Sequence, residues 1–224
     1  MNSSRLPGKV LKPLAGKPVL QWLFEGLERV RNADCLVVAT SQQSENREIV
    51  KFCRRHKVAV YQGSEDNVLS RYAAVAEIYD LDHVVRCTGD NPLSDAVEID
   101  YLIRQHLQSG ADYTSNVESL PKGIGAEIFR SSTLIRLNSV CTDPEDLEHV
   151  NEYILKNPNQ FTILLIPPIQ KQFEGCNLSF SIDTLEDFSW MENFCRMLPT
   201  SGQITGGVVQ KARYFIHSPS ATPK

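Results

Sequence analysis

Residues 3–9 read Ser3-Ser4-Arg5-Leu6-Pro7-Gly8-Lys9, a small-polar, basic, Pro-Gly, basic loop of the kind a triphosphate requires. Ser4 and Gly8 are small enough for backbone N–H groups to approach phosphate oxygens, while Arg5 and Lys9 supply fixed positive charge. It is not a Gly-x-x-x-x-Gly-Lys-Ser/Thr loop, because Val10 and Leu11 follow Lys9. By composition alone the same stretch is a solvated basic N-terminus, with Lys12 and Lys17 nearby. Two carboxylates stand in chemically suggestive places. The apolar run Val84-Val85-Arg86-Cys87 ends in Thr88-Gly89-Asp90-Asn91-Pro92, and ligands of open α/β sheets bind outside the carboxyl ends of strands. Asp90 therefore falls where a nucleotide would sit, unless it only shapes the turn. Asp183 closes the alternating segment Leu178-Ser-Phe-Ser-Ile182, with Glu186-Asp187-Phe188 opening a helix behind it; in isolation it reads as a helix cap.

The elements that must position these groups follow from periodicity. Leu20, Leu23, Phe24, Leu27 and Val30 recur at helical spacing after Pro18, predicting a helix over 18–31, and Cys35–Ala39 reads as a buried strand. Helices are expected at about 44–56, 67–79 and 95–108, and strands at Val58–Tyr61 and His83–Cys87. Strands alternating with helices of this length imply an α/β fold, a mostly parallel sheet with helices on both faces. Beyond residue 110 the pattern loosens into a mixed extension: short strands at Asp112–Thr114, Ala126–Phe129, Phe161–Ile166 and Leu178–Ile182, and a helix from Asp146 to Leu155. Residues 1–198 read as one domain and 199–224 as a loosely ordered tail rich in Pro, Ser, Thr and Gly.

With 224 residues, 42% hydrophobic, 22% charged and a net charge of −4, the chain is long enough for a sizeable core and carries no signature of a general nucleic-acid binder. Its six cysteines are scattered without a Cys-x-x-Cys pair, which argues against a zinc site or a disulfide framework and for free thiols in a reducing cytoplasm. No apolar run is long enough to span a membrane, and lysines interrupt any signal-peptide core at the N-terminus. A cytoplasmic protein is expected.

Three further stretches hold candidate binding residues. In Tyr61-Gln62-Gly63-Ser64-Glu65-Asp66-Asn67-Val68-Leu69-Ser70-Arg71-Tyr72, a loop after a strand offers Gln62, Ser64 and Arg71 to a base or sugar; the alternative is a capped helix start with Ser64 or Asn67 as cap and Arg71 facing solvent. Leu120-Pro-Lys-Gly-Ile-Gly-Ala-Glu-Ile-Phe129 supplies Lys122, able to attract an acidic substrate or simply lie on the surface, and Glu127. His149, in Glu148-His149-Val150, is either a ligand-contacting or a satisfied, partly buried histidine.

Residues 5–20, Arg-Leu-Pro-Gly-Lys-Val-Leu-Lys-Pro-Leu-Ala-Gly-Lys-Pro-Val-Leu, resemble the Arg-x-Pro-x-Lys signature of the sugar-acid cytidylyltransferases, within them the branch named after spore coat polysaccharide biosynthesis protein F. Gly89-Asp90-Asn-Pro-Leu93 resembles that family's Gly-Asp-x-Pro-Leu, and the Gly63–Tyr72 and Glu148–Val150 stretches have counterparts in it. The resemblance, which extends over about residues 3–194, implies a Rossmann-like nucleotide-diphospho-sugar transferase fold and a CTP-dependent transfer of CMP to an acidic sugar. It further implies Mg2+ on Asp90 and Asp183, phosphates on Arg5 and Lys9, and a homodimer. Magnesium suits such a pair, since it is commonly held by one or two carboxylates with water and substrate phosphates completing the octahedron. Two departures stand out: Gly125 replaces an aspartate of the acceptor segment, and the apolar first strand that precedes the signature in the family has no counterpart here. Two readings stay open beside the leading one: a nucleotidyltransferase for another nucleotide or acceptor, and a non-catalytic member acting as a binding subunit.

Overall fold

A computed structural model of the chain describes residues 6–199 together with Ile204 and Val209. After a 3-10 turn at Lys9–Leu11, the two-residue strands β1 (Pro13–Leu14) and β2 (Lys17–Pro18) form a tight hairpin whose turn residues Ala15 and Gly16 have φ of 47° and 94°. This hairpin turns Leu14 fully inward and delivers the chain into α1 (Val19–Leu27). The expected helix ran to residue 31. It stops at Leu27 because the backbone N–H groups of Arg31 and Asn32 are taken by the Asp100 carboxylate at 3.0 Å each instead of by helical carbonyls.

Alternation then proceeds as expected, with β3 (Val37–Ser41), α2 (Arg47–Arg55), β4 (Ala59–Gly63), α3 (Val68–Ile78), β5 (His83–Arg86) and α4 (Ala96–Ser109). Asn67 and Asp95 cap α3 and α4, accepting the N–H groups of Ser70 and of Val97 and Glu98. The remainder is β6 (Tyr113–Ser115), β7 (Glu127–Arg130), α5 (Ser131–Val140), α6 (Pro144–Glu148), α7 (Glu152–Lys156), β8 (Ile163–Leu165) and α8 (Leu185–Met197).

The α/β fold with a mixed extension is as expected, and three of its details are corrected. The strands form no single ladder among the described residues: β3 and β4 make a parallel pair, and β5-β7-β6-β8 a separate four-stranded sheet in which β7 is antiparallel to both neighbours. The β6–β7 connection is a loop that returns directly, where a parallel pairing needs a longer crossover. Between β3 and β5 lies a cleft of about 480 Å³, lined by apolar side chains that include Leu20, Leu23, Phe24, Val38 and Val85. Leu178–Ile182, expected as a strand, is extended but outside any ladder, because its neighbours are loops: Phe180 N–H bonds Lys122 O at 2.7 Å and Ile182 N–H bonds Asp90 O at 3.0 Å. The single helix expected over 146–155 is two, α6 and α7, separated where Val150 turns into the core and Glu152 N–H bonds His149 O at 2.7 Å.

Two apolar clusters hold the site from behind. One packs Leu69, Tyr113, Phe129, Leu134 and Leu137 between α3, α5 and the four-stranded sheet. The other gathers Leu14, Ile124, Phe180, Met191 and Phe194 under α8, and the two described residues beyond 199, Ile204 and Val209, are buried in it. The expected tail otherwise lies outside the described residues.

Candidate active site

Gly8, with φ of 70°, opens the turn that aims Lys9 inward, a backbone shape a side chain would resist. Only 11% of the Lys9 side chain is exposed, and its Nζ lies 3.0 Å from Asp90 Oδ2, 3.3 Å from Asp183 Oδ1 and 2.5 Å from Ile182 O. Three of the four residues singled out as phosphate and metal ligands, Lys9, Asp90 and Asp183, thus meet at one point.

Asp90 arrives there four residues past β5, and Asp183 from the extended segment that leads into α8. A capping box holds that helix start: Thr184 Oγ1 accepts Asp187 N–H, while the Asp187 carboxylate accepts the N–H groups of Asp183 and Thr184 at 3.0 and 2.8 Å. The cap of α8 is therefore Thr184, which leaves the Asp183 side chain to face the site. Lys122 Nζ bonds its Oδ2 at 2.7 Å, and this bond, reinforced by Lys9 against the opposing effect of burial, holds the Asp183 carboxyl below its ordinary pKa.

Two carboxylates converging on one ammonium nitrogen show that the pair can share a cation. Among the described residues no group of three or more His, Cys, Asp or Glu side chains could hold a metal. A divalent ion on Asp90 and Asp183 would complete its shell with water and substrate oxygens, as the donor chemistry of Mg2+ favours.

Beside this point opens a polar cavity of about 690 Å³, lined by Arg86, Thr88, Asn91, Lys122, Glu127, His149 and others. Its floor is a buried network absent from the motif reading. Glu127, 6% exposed, pairs with Arg86 Nη1 and accepts the Tyr113 hydroxyl at 2.5 Å, and Asn151 Nδ2 donates to that hydroxyl at 3.4 Å. Burial and the Glu127 charge together raise the Tyr113 hydroxyl above its ordinary range. An arginine inside the otherwise apolar Val84–Cys87 run was the available signal for this network, since a charge in a buried strand needs a partner.

The other expected site residues are dispersed. Gln62, the last but one residue of β4, has Nε2 3.4 Å from the Ser41 carbonyl, and Ser64 Oγ accepts Asn67 N–H at 3.1 Å in the capping loop of α3. Arg71 does not face solvent: it lines the apolar cleft between β3 and β5, where its Nε is buried without a hydrogen-bond partner. Neither Gln62 nor Ser64 lines the polar cavity. Ser4 and Arg5 lie outside the described residues.

Residues 1–217 match the family model for cytidylyltransferases. The chain is 33% identical over 193 residues to spore coat polysaccharide biosynthesis protein SpsF of Bacillus subtilis, covering 84% of this chain and 80% of that protein. It is 33% identical over 142 residues to 3-deoxy-manno-octulosonate cytidylyltransferase of Photobacterium profundum, covering 62% of this chain and 53% of that one. Among solved structures, a cytidylyltransferase of Leptospira borgpetersenii superposes with a TM-score of 0.87 at 26% identity, covering 98% of this chain and 92% of that one.

Proposed function

The chain belongs to the cytidylyltransferase family, and from that premise we propose that it transfers CMP from CTP to an acidic sugar with release of pyrophosphate, in surface polysaccharide synthesis, using Mg2+ held by Asp90 and Asp183. The observation that carries this reading is the meeting of Lys9, Asp90, Asp183 and Lys122, the last of which also lines a polar cavity. In the reaction the acceptor hydroxyl oxygen bonds the α-phosphorus as the bond to the bridging oxygen of the β-phosphate breaks, pyrophosphate departs and the hydroxyl proton is released. Magnesium, when bound, supplies positive charge to the triphosphate as negative charge shifts onto the leaving group.

Lys9, on its short turn, is the cation in reach of the departing phosphates, and Arg5 is expected to join it. Lys122 offers a charge to the acceptor's carboxylate, while Glu127 and His149 present polar groups to its hydroxyls. The Arg86–Glu127–Tyr113 network keeps that wall rigid, which is what positioning of an attacking hydroxyl demands. A cytoplasmic location belongs to the same reading; in the structure, no helix of the described residues is long and apolar enough to cross a membrane.

Pyrophosphate release from each of the four nucleoside triphosphates, with Mg2+ and a panel of sugar acids, tests the proposal. Turnover with CTP alone is expected, and Asp183→Asn is expected to lower it by about 10²–10³-fold with the fold retained. Turnover with another triphosphate, or an unimpaired Asp183→Asn, would remove the reading.

A further inference from the structure

Lys122 stands between two sites. Its carbonyl accepts Phe180 N–H at 2.7 Å, and the adjoining Gly123, at φ +89°, approaches so closely that a Cβ there would lie 2.5 Å from the Phe180 carbonyl carbon. The loop backbone is thus clamped against residues 180–181, and the flexible side chain is the part that can move. That side chain is 64% exposed and ends on Asp183 Oδ2, yet Lys122 also lines the polar cavity. From the other side Lys9 bridges Asp90 and Asp183. Among the described residues, two ammonium groups therefore lie on the two carboxylates.

A divalent cation has the combined charge of those two ammonium groups and needs the same oxygens. We propose that Lys9 and Lys122 are placeholders on the Asp90–Asp183 pair, which both leave when a divalent cation arrives with its nucleotide, whereupon Lys122 turns into the cavity and binds the acceptor's carboxylate. Two positive groups are released for two new anions: the triphosphate for Lys9 and the acceptor for Lys122. Binding order follows. An acidic acceptor that arrives first finds Lys122 engaged with Asp183, so nucleotide precedes acceptor. The placeholders also hold the two carboxylates together while no metal is bound, where their mutual repulsion would otherwise spread them. The inference rests on the assignment of Asp90 and Asp183 as the metal pair.

The test is Mn2+ binding to the full chain without nucleotide, followed by the electron spin resonance of free Mn2+. Lys122→Gln, at an exposed side chain that the fold tolerates, is expected to tighten binding about threefold, and Lys9→Gln with Lys122→Gln about tenfold or more. Asp183→Asn should abolish binding in every background. In turnover, Lys122→Gln should raise KM for the acceptor, while KM for CTP falls by no more than the gain in metal binding. Equal Mn2+ affinities in wild type and lysine variants, all lost with Asp183→Asn, would overturn the placeholder role and leave the metal pair standing. Mn2+ binding indifferent to Asp183→Asn would overturn both.

Discussion

The polar cavity beside Asp90 and the apolar cleft between β3 and β5 share Arg86 and Thr88 as walls, yet they are built on opposite terms. Around the first, charged side chains are neutralised in pairs: Arg86 with Glu127, Lys122 and Lys9 with Asp183, Lys9 with Asp90. Behind it the four-stranded sheet is packed by Tyr113 and Phe129, whose ring centroids lie 5.0 Å apart. Around the second, helices α1 and α2 and two strand edges present mostly aliphatic side chains to about 480 Å³ of open space. The difference teaches where this molecule stores its rigidity: on the side of the four-stranded sheet, where substrate groups must be held within fractions of an ångström.

That contrast can be broken most severely at Glu127. Replacing it with Gln leaves the mostly buried Arg86 without a counter-charge and is expected to cost about 3–5 kcal/mol in urea unfolding, whereas the double change Arg86→Met with Glu127→Leu should cost far less. A comparable loss for the double variant would mean that shape, and not charge pairing, organises the wall.

The next test compares packing on the two sides. Phe129→Ala in the sheet core should cost about 3–5 kcal/mol, while Val38→Ala at the open cleft should cost less than about 1 kcal/mol, because part of its side chain already faces empty space. Similar shifts of the thermal midpoint for both would erase the distinction.

The third test reads a slope with pH, again on the packed side. His106 is buried between Thr114 Oγ1 at 2.7 Å and His83 Nδ1 at 2.9 Å, and burial, helped by His83 and Arg130, pushes its pKa down from 6.5 to about 4. In that window the unfolded chain holds a proton that the folded chain does not, so stability falls as pH drops from about 6.5 to about 4 and levels below. Denaturant titrations across this range should show the decline in wild type and a flatter course in His106→Gln.

Much of the site was legible in the sequence because three of its charged groups follow local signals: Lys9 a Gly-containing turn, Asp90 the end of an apolar run, Asp183 the start of a helix. Local signals also gave the first four strands after the hairpin region and their helices to within a few residues, save at Leu27, where a carboxylate from α4 ended the helix. What stayed hidden was decided by partners distant in sequence. Alternation in Leu178–Ile182 marks the buried Leu178, Phe180 and Ile182, though Ser181 is buried as well, and whether such a segment joins a ladder depends on the elements beside it. The antiparallel β7 and the Arg86–Glu127–Tyr113 network arise in the same way, from a loop that brings Glu127 back across β5.

The cleft has one more consequence, which concerns the protein in a crowded solution. Among the described residues β3 pairs with β4 alone and β5 with β7 alone, so each presents an unpaired row of backbone amides and carbonyls toward the same opening. A free strand edge is a template for extended polypeptide, and two facing edges with apolar walls between them offer a double one. Self-association through strand addition is the hazard this architecture has to manage, and it grows with protein concentration.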